Sequence, residues 1–272
     1  MKTISGTLRK MPTELANPVQ YSLLLNDEKI ALNSLLGKTI KLVFTGEIHC
    51  IECGRKTNKS FQQGYCFPCY RELLKCNLCM IHPERCPFQG QCPTDQWASA
   101  NCCQPHIVYL ANSSGLKVGV TRQSQIPTRW IDQGAVQALP VFEVVNRYSA
   151  GLIEDALKSI FKDKTNWRTM LKGQIEPIDL NQARSQLIQQ WQTLKTKPSL
   201  KELNAINEIT NQSIIEITYP VLQYPAHIKT FDFDKTPAIE GQLLGIKGQY
   251  LIFDQGVINI RKFGGYQVTV VF

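Results

Sequence analysis

All ten cysteines fall between Cys50 and Cys103, and three of the four histidines, His49, His82 and His106, lie in or beside the same stretch. Disulfides in an exported chain would be spread more widely, and Met1 to Gly6 runs straight into polar and basic residues without the apolar core of a secretory signal. Concentrated thiols in such a chain point to bound metal in a reducing compartment, so a cytoplasmic protein is expected. Cys50-Ile51-Glu52-Cys53-Gly54 and Cys66-Phe67-Pro68-Cys69 are two C-x-x-C pairs separated by twelve residues. Two residues between thiolates let one tight turn aim both sulfurs at a common point, and two such turns complete a tetrahedral four-thiolate site for Zn2+. Gly54 suits the turn after the first pair. The alternative is a redox pair or buried free thiols.

Cys76-Asn77-Leu78-Cys79 repeats that spacing, and Cys86 and Cys92 follow. The stretch is too polar and too rich in proline to fold on a core of its own, so a second zinc is expected on Cys76, Cys79, Cys86 and Cys92. Cys102, Cys103, His82 and His106 are further candidate ligands, and an iron–sulfur cluster is the alternative occupant.

A chain of 272 residues exceeds the common size of one domain, and 43% hydrophobic with 19% charged residues is the composition of a folded protein. The longest apolar runs, such as Leu139 to Val145, are far too short to cross a bilayer, so no membrane partner is expected. A net charge of +8 favours polyanionic partners such as DNA or RNA.

Both ends read as small sheets. Tyr21 to Leu25 and Thr39 to Phe44 are β-type runs near the start, and Gln242 to Ile246, Tyr250 to Phe253, Val257 to Ile260 and Gln267 to Phe272 follow one another at the end. The ends also share a pattern: Gly6-Thr7-Leu8 against Gly241-Gln242-Leu243, Tyr21-Ser22-Leu23 against Tyr250-Leu251-Ile252, and Lys41 to Phe44 against Thr269 to Phe272. Neither meander is long enough to cover its own apolar face, so a real repeat predicts two halves of one shared barrel. The helical stretch at about 179 to 209 carries Ala183, Leu187, Trp191 and Leu194 on one stripe, and Ser199 with Glu202 fits a capping box for a further short helix.

Between the cysteines and that helix, Ile107 to Ala111 and Leu116 to Val120 are two strands joined by Asn112-Ser113-Ser114-Gly115, a hairpin turn by composition. A helical stretch with Arg129 comes next, then a strand at Val141 to Val145. A helical stripe of Leu152, Ile153, Ala156, Leu157, Ile160 and Phe161 follows, with Glu154 at its border and Asp155 pointing away.

This order resembles the GIY-YIG nuclease domain, with Val108-Tyr109 at the end of the first motif and Val118-Gly119 at the end of the second. The resemblance implies that Tyr109 is the general base or its water-activating partner, that Arg129 balances charge on the scissile phosphate, and that Glu154 holds Mg2+ or Mn2+. Asn166 is the match for the family's supporting asparagine. Lys117 stands where the second motif usually has tyrosine, and no histidine follows Arg129. With Asp163 to Arg168 included, the chain also resembles an uncharacterised bacterial family that joins such a domain to cysteine motifs.

The expected fold is α+β. It has a β-rich segment at 1–49, zinc ribbon modules at 50–105, a GIY-YIG-like domain at 106–172, a helical region and linker at 173–238, and a β-rich segment at 239–272. The expected function is a zinc-binding protein that interacts with nucleic acid, either as an endonuclease or as a binding protein without cleavage. A protein–protein adaptor built on zinc modules is the third reading.

Overall fold

The alternating apolar runs become strands, and the strands gather into three antiparallel sheets. A computed structural model of the chain describes residues 1–272 except 93–95, 159, 162–164, 198–199, 201–202 and 204. The N-terminal part contributes β1 (Thr3–Thr7), β2 (Thr13–Glu14), β3 (Gln20–Leu25), β4 (Glu28–Ala31) and β5 (Thr39–His49). The cysteine-rich part adds β6 (Lys56–Thr57), α1 (Phe67–Glu72) and α2 (Gln96–Asn101). Next come β7 (His106–Asn112), β8 (Leu116–Arg122), α3 (Thr128–Asp132), β9 (Gln137–Val144), α4 (Arg147–Lys158), α5 (Trp167–Leu171) and α6 (Leu180–Leu194). The chain finishes with β10 (Ile206–Glu208), β11 (Ile215–Glu216), β12 (Ala238–Lys247), β13 (Tyr250–Phe253), β14 (Gly256–Asn259) and β15 (Tyr266–Val271).

Both ends of the chain enter one sheet of order β1-β15-β5-β12-β13-β14, with β6 paired to β5. The weak repeat read between the ends governs its register. Leu42 faces Val270 at the centre, and on either side Lys41 faces Val271 while Val43 faces Thr269, the crossed pairing that a two-fold axis imposes on equivalent positions. The outer pairs repeat it, since Gly6 faces Val268 as Gly241 faces Ile40, and Thr7 faces Gln267 as Gln242 faces Thr39. The turns agree as well. The Thr7 N–H donates to Asn26 Oδ1 at 3.0 Å, and the Gln242 N–H donates to Asp254 Oδ1 at 3.2 Å. Only the tyrosine correspondence shifts by one, because Leu25–Glu28 and Phe253–Gly256 are the matching turn pairs and set Ser22 against Tyr250.

The two halves share one core, in which Leu8, Leu23 and Leu42 pack with Leu243, Leu251, Val268 and Val270. Each such side chain contributes roughly 1.5–3 kcal/mol by leaving water, and neither half supplies enough of them alone. The expected barrel does not form: among the described residues β1 and β14 end the order and do not pair with each other. The segment after β11 lies along the sheet instead, where Val221 bridges Gly245 and Thr230 bridges Val257.

The second sheet, of order β10-β9-β7-β8 with β11 on β9, carries the central hairpin. Every residue of β7 is buried, because its two faces serve different cores. Ile107, Tyr109 and Ala111 join the core of the terminal sheet, whereas Val108 and Leu110 pack with Ile153 and Leu157 of α4 and Leu187 and Trp191 of α6. The period-two alternation of one strand thus locks the two sheets together.

Two sequence expectations need adjustment. The helical stretch ends at Leu194, and Ile206–Glu208 is a strand, since the open edge of β9 offers backbone groups that it satisfies. Helix α4 ends at Lys158, so Ile160 and Phe161 lie in the following turn. The proposed cap of Ser199 and Glu202 lies outside the described residues. No helix among the described residues is long and apolar enough to cross a membrane.

Candidate functional site

Strand β5 runs directly into Cys50, and β6 returns beside it with His49 opposite Lys56, so the first C-x-x-C pair forms the tip of a hairpin. The Gly54 N–H donates to the Cys50 carbonyl at 3.0 Å, with Gly54 at φ +71, which a side chain would disfavour. The second pair opens α1, whose N-cap is Cys66. Backbone contact joins the two turns, as the Ile51 N–H donates to the Gly64 carbonyl at 2.8 Å.

The Sγ atoms of Cys50, Cys53, Cys66 and Cys69 all lie within 4.8 Å of one another. Cys53 and Cys66 are 3.7 Å apart, which matches the edge of roughly 3.8 Å that Zn–S bonds of about 2.3 Å give a tetrahedron. These four cysteines lie close enough to hold one metal ion, and an all-thiolate tetrahedral set is consistent with zinc. Burial raises the Cys50 thiol, but the N–H groups of Cys53, Cys66 and Glu52 outweigh it and hold it at about 6. Cys69 is pushed up by desolvation and by hydrogen bonds to the other three thiols. A cation at the centre reverses that order, because it favours every thiolate at once.

Cys76 does not join Cys79, Cys86 and Cys92. It is buried beside the first cluster, within electrostatic reach of Lys75, Glu52 and Cys50. Residues 74–76 form one 3-10 turn and 78–80 the next, with Asn77 extended between them at φ −66 and ψ 154, so the two thiols leave the chain in different directions. Cys79 instead lies near Cys86, and Cys92 lies near Cys102, Cys86, Cys103 and Cys79. His82 pairs with Glu84 at 3.2 Å, and His106 is buried with Nδ1 on the Gln104 carbonyl at 2.8 Å.

Tyr109, Lys117, Arg129 and Glu154 all line one cleft of about 610 Å3. Eight basic side chains line it: Arg9 and Lys10 from the N-terminal part, Lys75 from the cysteine-rich part, Lys117, Arg122, Arg129 and Arg147 from the centre, and Arg261 from the C-terminal part. Among the described residues, Asp132 and Glu154 are its only acidic lining. Burial lowers the Arg147 and Arg261 guanidinium groups, and the charge of Arg129 lowers both further. Like charges held this close favour a bound anion.

Tyr109 is wholly buried, and its hydroxyl donates to Gln133 Oε1 at 2.9 Å. Burial and the nearby Glu154 push it up to about 12, against the opposing influence of Arg129. Burial also raises Glu154, although Lys158, Lys117 and Arg129 pull it down. Asn166 is not part of this group. It is exposed and caps α5, accepting the Arg168 N–H at 2.9 Å.

Gln133 could have been found in the sequence, because it stands four residues after Arg129 on the same helical face. Arg9, Lys10, Lys75 and Arg261 carry no such local signal.

Fold and site together define a mixed α/β protein in which four cysteines, close enough to hold a metal ion, lie beside a basic cleft. The chain belongs to the family described as protein of unknown function (DUF2797), whose model matches residues 37–268. No curated protein and no solved structure matches it.

Proposed function

We propose that the chain is a zinc-stabilised nucleic-acid-binding protein whose basic cleft is a metal-dependent phosphodiesterase site of the GIY-YIG type. The observation that carries this reading is the meeting of Tyr109, Lys117, Arg129 and Glu154 in one cleft lined by eight basic side chains. The basic side chains bind the polyanion, and Lys117 and Arg129 offset the negative charge that grows on the phosphate. Glu154 would hold the divalent cation, Mg2+ or Mn2+, which would supply polarisation of a phosphate oxygen when bound. With its hydroxyl at about 12, Tyr109 keeps its proton at neutral pH and orients the attacking water instead of acting as general base. The cysteine turns act as a zinc ribbon that fixes the wall bearing Lys75.

A cleft of about 610 Å3 has the size of a small-ligand site. A cleft of this volume favours an unpaired strand over an intact duplex as the bound form.

The second reading is a nucleic-acid-binding protein without cleavage. Lys117 in place of tyrosine and the capping role of Asn166 favour it.

The test is binding and cleavage of labelled single-stranded and duplex DNA and RNA in Mg2+ and in Mn2+. Cleavage by the wild type that Glu154→Ala abolishes supports the first reading. Salt-sensitive binding without cleavage in either protein supports the second, and no binding at low salt overturns both.

A further inference from the structure

Among the described residues of 77–105 there is no strand, and only Pro83 and Ala98 are buried. Leu78 and Ile81 are more than half exposed. About thirty residues without an apolar core cannot offset their conformational entropy, which for small units calls for a disulfide or a metal.

Three places in this segment that lie beside its cysteines meet the start of α4. The Arg147 N–H donates to the Cys102 carbonyl at 2.9 Å, and Arg147 Nη2 donates to the carbonyl of Met80, the neighbour of Cys79, at 2.7 Å. Gly90, inside the Cys86–Cys92 turn, packs so closely on Asn146 that a Cβ would lie 2.7 Å from its Nδ2. Cys103 is exposed, with its Sγ 3.9 Å from the Gly90 carbonyl.

We infer that Cys79, Cys86, Cys92 and Cys102 form a second zinc centre. Cys76 is excluded by its place beside the first cluster, and Cys102 is preferred to its exposed neighbour Cys103 because Arg147 holds the Cys102 backbone at the start of α4. Four thiolates select a soft tetrahedral cation, as in the first site. Only the first four sulfurs among the described residues all lie within 4.8 Å of one another, so zinc draws the second, wider set to edges of roughly 3.8 Å. Through the bond from Arg147 to Cys102, this centre anchors the first residue of the helix that carries Glu154. The inference does not depend on any reading of the cleft.

The test is the zinc content of the full chain, purified without chelator, by elemental analysis and native mass spectrometry. Two zinc ions per wild-type chain are expected, one in Cys102→Ser and two in Cys76→Ser. A single zinc in the wild type, loss of zinc from Cys76→Ser with full retention in Cys102→Ser, or iron with sulfide at the second centre overturns the assignment. Maleimide labelling of the wild type gives an answer that needs no variant to fold. Cys103 is expected to react at once, and Cys79, Cys86, Cys92 and Cys102 only after a strong chelator is added. Equal labelling of those four before and after chelation overturns it too.

Discussion

The Tyr109 hydroxyl occupies the space where a side chain at position 119 would begin: a Cβ built on Gly119 would lie 2.7 Å from that hydroxyl and from the ring Cζ. The two residues face each other across β7 and β8. The glycine thus lets a buried phenol reach the cleft floor. Gly119→Ala is expected to destabilise the protein by about 1–3 kcal/mol, the usual cost of overpacking. Urea unfolding checks this, and a variant within 0.5 kcal/mol, roughly the spread of neutral surface changes, would refute the crowding argument.

Cys50→Ser removes one of the four clustered sulfurs. Loss of one zinc equivalent and a lower thermal midpoint are expected, because metal binding and folding are coupled at such sites. Full metal content in the variant would count against the assignment.

Glu154 is a carboxylate raised chiefly by burial. A raised carboxylate binds its proton better in the folded state than in the unfolded one, so its contribution to stability falls as pH rises above the ordinary value of 4.5. Glu154→Gln is expected to raise the thermal midpoint of the protein at pH 7 without added divalent cation, with the gain vanishing below pH 4.5. The same variant is expected to lose Mn2+ binding at the cleft, which titration calorimetry reads.

His106 has the opposite dependence. Burial and the charges of Arg147 and Arg122 lower it from 6.5 to about 4, against the bond to the Gln104 carbonyl. The unfolded chain therefore takes up a proton that the folded one refuses, and stability present above pH 6.5 is lost as pH falls towards 4. A shift of this size corresponds to about 3 kcal/mol. Urea midpoints of the wild type and His106→Asn between pH 7 and pH 4 test it, and parallel curves would rule out His106 as the source.

Asn26 and Asp254 make equivalent bonds in the two halves of the terminal sheet. Asn26→Ala and Asp254→Ala are each expected to cost about 0.5–1.5 kcal/mol, the usual net value of one hydrogen bond. A cost confined to one half in urea unfolding would contradict their equivalence.

What was legible in the chain was local. The spacing of Cys50, Cys53, Cys66 and Cys69 brings four sulfurs together because each pair needs only one tight turn, and the apolar runs of 107–111 and 116–120 pair through a short hairpin. Even the weak likeness of the two ends carried true register, because crossed pairing about Leu42 and Val270 requires similar residues at equivalent positions. Other features were not legible. Cys76 and Cys79 have the spacing of a ligand pair, yet two successive 3-10 turns part them. Asn166 stands in family order, yet its side chain is taken by a helix cap.

The sequence by itself determined the paired cysteine turns, the strands and the order of Tyr109, Lys117, Arg129 and Glu154, since short-range sterics and apolar periodicity act within a few residues. Only the tertiary structure decided that Arg9, Lys10, Lys75 and Arg261 line the same cleft as those four. Basic residues so far apart in the chain meet because the terminal halves share one core, and β7 joins that core to the central sheet by burying both of its faces.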